Sequence, residues 1–165
     1  MASDTLPDRL ELAPIGSLAD VEAMRVIRNS VREYMTHNKD FITPEQQEDW
    51  YFDTYMELNG DGDMYAYLAR FEGRNVGYGI IQTLDDKKWV TGALTAAVRG
   101  KGLGEDLFRN LTQNVHDLGY RECWLDVLAE NERAYNLYRK IGYCVINNVN
   151  GLIIMKHENE VQSGV

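Results

Sequence analysis

The sequence lacks several features that mark specialised classes of protein. It contains only two cysteines, Cys123 and Cys144, and because each lies in an apolar stretch we predict buried reduced thiols and no disulfide framework. No apolar run approaches the roughly 20 residues that a membrane span requires. The segment Met1–Glu11 is polar and has no apolar centre of a secretory signal. These absences predict a cytoplasmic protein with no membrane partner.

Basic residues are also scarce. Lys and Arg total 17 against 26 Asp and Glu, which gives a formal net charge of −9. Nucleic acids and anionic membranes are bound through basic surfaces, so this balance argues against either as the main partner. The length of 165 residues and the apolar share of 44% fit one domain with one core. We expect a single domain over residues 1–165, with residues 1–16 as a lead-in and residues 158–165 as a frayed tail.

Two helices are predicted in the first third of the chain. Apolar residues recur at helical spacing after Ser17, so the first helix is expected to run to about Thr36. Thr43 as N-cap, Pro44 in the first turn and Gln46 three residues after the cap predict the start of a second helix.

Alternating patterns and turn residues predict the remaining elements. A long helix is expected from Gly102 to a C-cap at Gly119, and a shorter one from an N-cap at Asn131 to Gly142. A meander that feeds a strand–helix–strand unit predicts an α/β (α+β) fold. Its central sheet is expected to be mixed but mostly antiparallel, with six to seven strands and helices on both faces. The predicted strands cover residues 9–12, 64–71, 75–84, 89–95, 122–127, 143–149 and 152–157, the last two joined by the hairpin turn Asn150-Gly151.

A glycine-rich segment between a strand and the long helix is the strongest sign of chemistry. It reads Arg99-Gly100-Lys101-Gly102-Leu103-Gly104. Glycines let the backbone approach a ligand closely, and the free N–H groups of a helix start bind anions. Arg99 and Lys101 add positive charge, so a phosphate or pyrophosphate is the expected guest. The alternative is a glycine-rich turn that only reverses the chain, since the spacing matches neither the P-loop nor G-x-G-x-x-G.

Two segments together resemble the GNAT superfamily of N-acetyltransferases. Arg99, Gly102 and Gly104 stand at the defining positions of its Q/R-x-x-G-x-G/A signature. The second segment, residues 125–143, is similar to the pattern L-E/D-V…N…A…L-Y…G-F/Y of the same superfamily. The resemblance covers about residues 64–155. It implies the GNAT fold and an acetyl-CoA-dependent N-acetyltransferase.

The resemblance also implies where acetyl-CoA binds. The pyrophosphate would lie on the loop of residues 99–104, which includes Gly100, Lys101 and Leu103. The pantetheine arm would pair like an extra strand with Ala93 and Leu94, where backbone amides polarise the thioester carbonyl. Asn131 matches an asparagine that helps to hold this arm, and it can also serve as a helix N-cap. No metal is predicted, because the histidines and cysteines show no metal-ligand spacing.

The resemblance assigns the general acid to Tyr138, which would protonate the departing CoA thiolate. A phenol of pKa about 10 can donate a proton to a thiolate of similar basicity. The alternative is a core tyrosine, because Tyr138 lies on the same helical stripe as Ala134 and Ile141.

Asp126 matches a position that is often acidic in the superfamily and acts as the general base in some members. Strand alternation places it on the face opposite Leu125 and Val127, so it can reach an acceptor amine that must lose a proton. The alternative is a carboxylate paired with Arg121 or Arg133.

The acceptor is the least defined part of the sequence-based prediction. Residues 33–63 contain nine acidic residues and only one lysine, which favours a cationic amine or simply a solvated surface. Arg28 and Arg32 instead favour an anionic acceptor, and the aromatic residues Trp50, Tyr51, Tyr55 and Tyr65 either line a cleft or pack.

The predicted reaction is therefore direct acetyl transfer from acetyl-CoA to a primary amine of a small molecule or peptide. The alternative is a GNAT-fold module that binds acyl-CoA or a partner protein without turnover. The oligomeric state is open, with a homodimer as one alternative.

Overall fold

Seven strands form one sheet in the order β1-β2-β3-β4-β5-β7-β6, as seen in a computed structural model that describes residues 10–98 and 100–159. Neighbouring strands are antiparallel except β4 and β5, which are parallel. The predicted mixed, mostly antiparallel sheet is therefore confirmed. The strands are β1 (Glu11–Pro14), β2 (Met64–Phe71), β3 (Arg74–Leu84), β4 (Lys87–Leu94), β5 (Glu122–Leu128), β6 (Cys144–Val149) and β7 (Leu152–Glu158).

Helices cover both faces of the sheet. One face packs against α4 and α5, and the other against α1 and the segment that follows α2. None of the helices in the described parts of the chain combines the length and apolar character needed to cross a bilayer. The helices are α1 (Leu18–Ser30), α2 (Pro44–Asp49), α3 (Met56–Gly60), α4 (Leu103–Asp117) and α5 (Glu132–Ile141), with the π-helical segment Trp50–Tyr55 joining α2 to α3.

Local sequence signals act as predicted at several element ends. Thr43 and Gln46 form a full capping box, in which the Thr43 hydroxyl accepts from the Gln46 amide at 3.1 Å and the Gln46 side chain accepts from the Thr43 amide at 2.9 Å. Asn150 and Gly151 both have positive φ, 54° and 87°, as a type I′ hairpin turn requires. These signals work because each depends on residues that are neighbours in the sequence.

Other predictions need correction. Helix α1 ends at Ser30, well before Thr36, and the chain continues in a short 3₁₀ turn. Cys123 is buried as predicted, but Cys144 is exposed because β6 is an edge strand whose two faces are open to solvent. Glu158, expected in a frayed tail, is the last residue of β7, and the Asn159 amide donates to Arg121 at 2.8 Å. Residues 1–9, 99 and 160–165 lie outside the described residues.

Helix α4 packs closely on the sheet because the residue of β3 that lies beneath Leu111 is Gly79, which has no side chain. A Cβ atom on Gly79 would lie 2.7 Å from a methyl carbon of Leu111, so only glycine allows this approach. Leu111 is fully buried, as are Leu103, Leu107 and Val115 on the same face of α4. Leu118, the C-cap residue of this helix, continues the same apolar spacing but is 41% exposed, because it lies just beyond the last turn.

Two histidines form a partly buried pair between α4 and β7. His116 Nδ1 lies 2.8 Å from the carbonyl oxygen of Tyr120, so it must carry a proton and donate it. His116 Nε2 then accepts from His157 Nδ1 at 2.9 Å. Burial of the imidazole, and then the neighbouring His116 and Arg109, lower the pKa of His157. The two histidines are 41 positions apart, so no local pattern in the sequence indicated that they meet.

We expect Leu111→Ala to lower the free energy of unfolding by about 2–5 kcal/mol, because it removes a buried side chain and leaves a cavity against the glycine backbone. Leu118→Ala, on the same helix but exposed, is the matched control and should cost well under about 1 kcal/mol. Chemical denaturation of both variants measures the difference, and equal losses would contradict the packing described.

The histidine pair predicts that acid destabilises the protein. Because the folded chain lowers the pKa of His157, the unfolded chain binds the proton more readily, so this contribution is complete above about pH 6.5 and is lost as the pH falls. His157→Asn keeps a donor for His116 but does not titrate. The drop in Tm between about pH 7.5 and about pH 5.5 should be smaller in this variant than in the wild type. Equal drops would rule out a contribution from His157.

Candidate active site

Strands β4 and β5 separate soon after they meet. Their pairing is limited to Trp89 and Trp124, whose ring centroids lie 5.7 Å apart. Strand β4 remains paired with β3 as far as Leu94, so it stays extended while its other edge opens. The backbone N–H and C=O groups on that edge have no strand partner in β5, and such groups require a partner when they are shielded from water. A cavity of about 1120 Å³ occupies the gap.

Most of the predicted site residues line this one cavity. Lys101 does not: its ammonium group lies 5.9 Å from the ring centroid of Phe71. Arg99 lies outside the described residues. The predicted residues that line the cavity are Ala93, Leu94, Gly100, Gly102, Leu103, Gly104, Asp126, Asn131 and Tyr138.

The glycine-rich loop delivers the start of α4 to one end of the cavity. Gly100 and Gly102 have φ values of 81° and 74°, in the left-handed region that glycine adopts without strain. Gly102 is the N-cap residue of α4, and as a glycine it has no side chain that could cap the first N–H groups of the helix. A Cβ atom on Gly104 would lie 3.2 Å from Leu137 of α5, so the glycine also lets the two helices approach. The loop can therefore present unpaired N–H groups and a positive helix end to an anion.

Asn131 fills the structural role predicted for it. Its side-chain oxygen accepts a hydrogen bond from the Ala134 amide at 3.2 Å, as an N-cap residue does. It also lines the cavity, so its side chain lies next to the space between β4 and α5.

Tyr138 projects from α5 into the same space. Its ring packs edge-on against Phe108, with centroids 4.8 Å apart, and against Tyr143 at 6.1 Å. Burial, and then the negative charge of Asp126, raise the pKa of Tyr138 well above that of free tyrosine. The phenol therefore keeps its proton at neutral pH and can act as a hydrogen-bond or proton donor.

Asp126 contacts a residue that the sequence did not point to. Its Oδ2 atom lies 2.9 Å from Nε2 of His37, and neither Arg121 nor Arg133 forms the predicted ion pair with it. The Asp126 side chain is 23% exposed and lines the cavity, as does His37. The two residues are 89 positions apart in the chain, so no local pattern could have indicated their contact.

Three side chains of α1 hold the loop that carries His37. The buried Arg28 guanidinium, only 8% exposed, donates to the backbone carbonyls of Asn38 and Asp40. Asn29 exchanges two hydrogen bonds with the backbone of Ile42, at 2.8 and 2.9 Å, and Arg25 donates to the same carbonyl at 3.0 Å. These bonds turn the chain back beside α1, which explains why the helix ends early.

Neither of the two sequence features that bear on the acceptor, the arginines and the acidic residues, lines the cavity. The Arg28 guanidinium is hydrogen-bonded to the loop backbone, and the guanidinium of Arg32 lies 5.8 Å from the Phe41 ring centroid. None of the nine acidic residues between positions 33 and 63 lines the cavity. The four aromatic residues considered as cleft walls pack into the core instead, with Trp50 and Tyr51 both close to the Tyr55 ring.

The carboxylates on the cavity wall are Glu105 and Asp126. Glu105 forms ion pairs of 2.9 Å with Arg109 and Lys140, which lower its pKa. Asp126, bonded to His37, is thus the wall carboxylate without an Arg or Lys in ion-pair contact among the described residues. Across residues 10–98 and 100–159, no group of three or more His, Cys, Asp or Glu is arranged to hold a metal ion.

Comparison with known proteins agrees with this architecture. The chain is 28% identical over 125 residues to the uncharacterized N-acetyltransferase YjgM of Escherichia coli (strain K12). The aligned region covers 72% of each chain. It is 29% identical over 118 residues to a Bacillus subtilis (strain 168) protein provisionally named a ribosomal protein bS18-alanine N-acetyltransferase, covering 70% of this chain and 78% of that one.

Among solved structures, the spermidine N-acetyltransferase of Vibrio cholerae in complex with CoA and spermine superposes with a TM-score of 0.78. It covers 92% of this chain and 96% of its own, at 14% identity, so the likeness concerns the fold. The sequence model of the acetyltransferase (GNAT) family matches residues 25–143, which include the end of α1, β4, the glycine-rich loop, Asp126 and Tyr138. The chain belongs to the acetyltransferase (GNAT) family and is an acetyl-CoA-dependent N-acetyltransferase.

Proposed function

We propose that this enzyme transfers the acetyl group of acetyl-CoA directly to a primary amine of a small molecule or peptide, without a covalent enzyme intermediate. The observation that carries the proposal is the open edge of β4 beside the cavity. A ligand with amide groups and a long thin arm can complete that edge as an added strand does. A cytoplasmic location and a homodimer remain predictions from the sequence.

The donor occupies the gap between β4 and β5 in this proposal. The pyrophosphate binds the N–H groups at the start of α4, where Gly100 and Gly102 keep the backbone free of side chains. The pantetheine amides pair with β4 at Ala93 and Leu94. This arrangement directs the thioester toward Tyr138 and Asp126, which line the same cavity.

The reaction requires one proton donor and one group that withdraws protons from the amine. The neutral amine attacks the thioester carbon, forming the C–N bond, and a backbone amide of β4 stabilises the oxyanion. The C–S bond then breaks, and Tyr138, which retains its proton, donates to the CoA sulfur. Asp126 supplies the negative charge that favours removal of a proton from the amine nitrogen.

The acceptor side of the cavity supports an amine substrate. The cavity wall carries the Asp126 carboxylate and also the polar residues Tyr34, Asn38, Gln82 and Thr91. The names of the compared proteins point to a polyamine in one case and to the alanine of a ribosomal protein in another. Both are amines, so the substrate class that we propose includes amines of small molecules and of peptides.

We expect Gly102→Glu to weaken acetyl-CoA binding at least about tenfold, or about 1.4 kcal/mol, because a carboxylate replaces the anion site at the start of α4. Gly73→Glu is the matched control: Gly73 also has a positive φ, 76°, but lies in the open turn between β2 and β3. Calorimetric titration with acetyl-CoA compares the two. Equal binding by both variants would show that the loop is only a turn.

We expect Tyr138→Phe to lower kcat by about 10²-fold, because the ring packing is kept and only the proton donor is lost. The Kd for acetyl-CoA should not change. Tyr135→Phe on the same helix, whose hydroxyl accepts from Arg139 at 2.9 Å away from the cavity, is the control. Turnover is measured by thiol release across a pH range. An unchanged rate at every pH would remove Tyr138 from the reaction.

A further inference from the structure

His37 is hydrogen-bonded to Asp126 on the cavity wall, but the proposed reaction gives a role only to Asp126. The imidazole lies on the cavity wall, 2.9 Å from the carboxylate, and is 68% exposed. We propose that His37 is the group that accepts the proton of the amine substrate, and that Asp126 acts through it as a positioning residue. This inference rests on the proposed function and assigns the base of the same reaction.

The hydrogen bond decides which ring nitrogen is free. An ionised carboxylate can only accept hydrogen bonds, so Nε2 of His37 must carry the proton that it shares with Oδ2 of Asp126. A neutral imidazole has one protonated nitrogen, and Nδ1 is therefore left with a free lone pair. Asp126 thereby orients the ring and stabilises the imidazolium that forms when Nδ1 accepts a proton.

The position of His37 is held from two sides. After His37 in the chain, Arg28 and Asn29 bind the backbone of the loop at residues 38–42. Before His37, the Tyr78 hydroxyl donates to the sulfur of Met35 at 3.3 Å. The loop on both sides of His37 is thus attached to α1 and to β3, and the hydrogen bond to Asp126 then orients the ring. A base needs this kind of fixed geometry, because proton transfer depends on distance.

Proton affinity also favours the imidazole over the carboxylate. In model peptides an imidazole binds a proton at about pH 6.5, and a carboxylate only at about pH 3.9. A base is most effective when its affinity lies near the working pH, so an imidazole with a carboxylate behind it suits an amine better than a carboxylate alone.

The protons balance in this scheme. The substrate ammonium gives one proton to His37 Nδ1, which passes it to solvent, and the neutral amine attacks. The nitrogen of the tetrahedral intermediate loses a second proton by the same route as the C–S bond breaks. The sulfur takes one proton from Tyr138, and solvent returns one to the phenolate. The net products are the acetylated amine, CoA thiol and one released proton.

Other ionisable groups share the cavity wall with His37 and Asp126. Burial raises the pKa of Tyr78 to about 12, so that this phenol stays neutral across the working range. Tyr138 also stays protonated, and Glu105 is paired with Lys140 and Arg109. The titratable or charged groups on the wall are Tyr34, His37, Tyr78, Glu105, Asp126, Arg133, Tyr138 and Lys140.

The test compares His37→Gln with the wild type. Glutamine can still donate to Asp126 but has no nitrogen that accepts a proton. Lys39→Gln, in the same loop but not on the cavity wall, is the control for the loss of a polar loop residue. The amines used are spermine, glucosamine, free lysine and a short peptide that begins with alanine, each with acetyl-CoA. Rates are measured from about pH 5.5 to about pH 9, and circular dichroism checks that each variant is folded.

We expect His37→Gln to lower kcat by about 10²-fold near neutral pH and to make the rate fall less on acidification than it does in the wild type, because only the ionisation of the amine substrate is then left to slow the reaction. Lys39→Gln should match the wild type. If His37→Gln keeps the wild-type kcat and acid limb, or only raises the KM of the amine, the inference is wrong. If the wild type acetylates none of the four amines, the proposed function fails and takes this inference with it.

A second measurement does not depend on turnover. Nitrogen-15 NMR of histidine-labelled wild-type protein, assigned with His37→Gln, shows which ring nitrogen carries the proton. We expect the Nε2-protonated form at about pH 8, with part of the population moving to the other form in Asp126→Asn, whose amide can also donate. A wild-type ring protonated at Nδ1 would overturn the proposal, because the free lone pair would then face Asp126.

Discussion

The separation of β4 from β5 is the feature on which the rest of the site depends. Two tryptophans, Trp89 and Trp124, hold the strands together at one point, and the ammonium groups of Lys87 and Lys156 lie 5.4 and 5.5 Å from the Trp124 ring centroid. Beyond that point a parallel pair would satisfy the backbone of β4, and the gap instead leaves that edge of β4 facing the cavity. A seven-stranded sheet thus opens a cavity between two of its own strands.

Small residues set the depth of that site. Helix α4 approaches β3 and β4 closely because Gly79 and Gly92 place no side chain beneath it. A Cβ atom on Gly92 would lie 2.8 Å from the Tyr78 carbonyl oxygen, which is too close for any other residue without rearrangement. The same approach brings the start of α4 to the end of the gap, while α5 carries Tyr138 to its side. The shape of the cavity therefore follows from packing as much as from the glycine-rich loop.

The sequence predicted the parts of the structure that depend on short segments. The limits of β2 match the prediction, and the capping box at Thr43 and the hairpin at Asn150 are confirmed, because each is decided by a few adjacent residues. The end of α1 was placed too late, since the bonds of Arg28 and Asn29 to a distant loop outweigh the helical pattern. The sequence left open whether Arg28 meets an anionic acceptor, because the backbone carbonyls that it binds are brought to it only by the fold.

The sequence by itself determined the family, the order of elements and most of the predicted residues that line the cavity, because the two motifs lie on either side of one strand–helix–strand unit. Only the tertiary structure decided what Asp126 contacts. His37 reaches it from a loop 89 residues earlier, and that loop is positioned by α1 and β3. A contact between residues so far apart in the chain depends on where the fold places the loop that carries His37, which strand alternation and spacing do not encode. The surroundings of Asp126 are therefore a property of the fold.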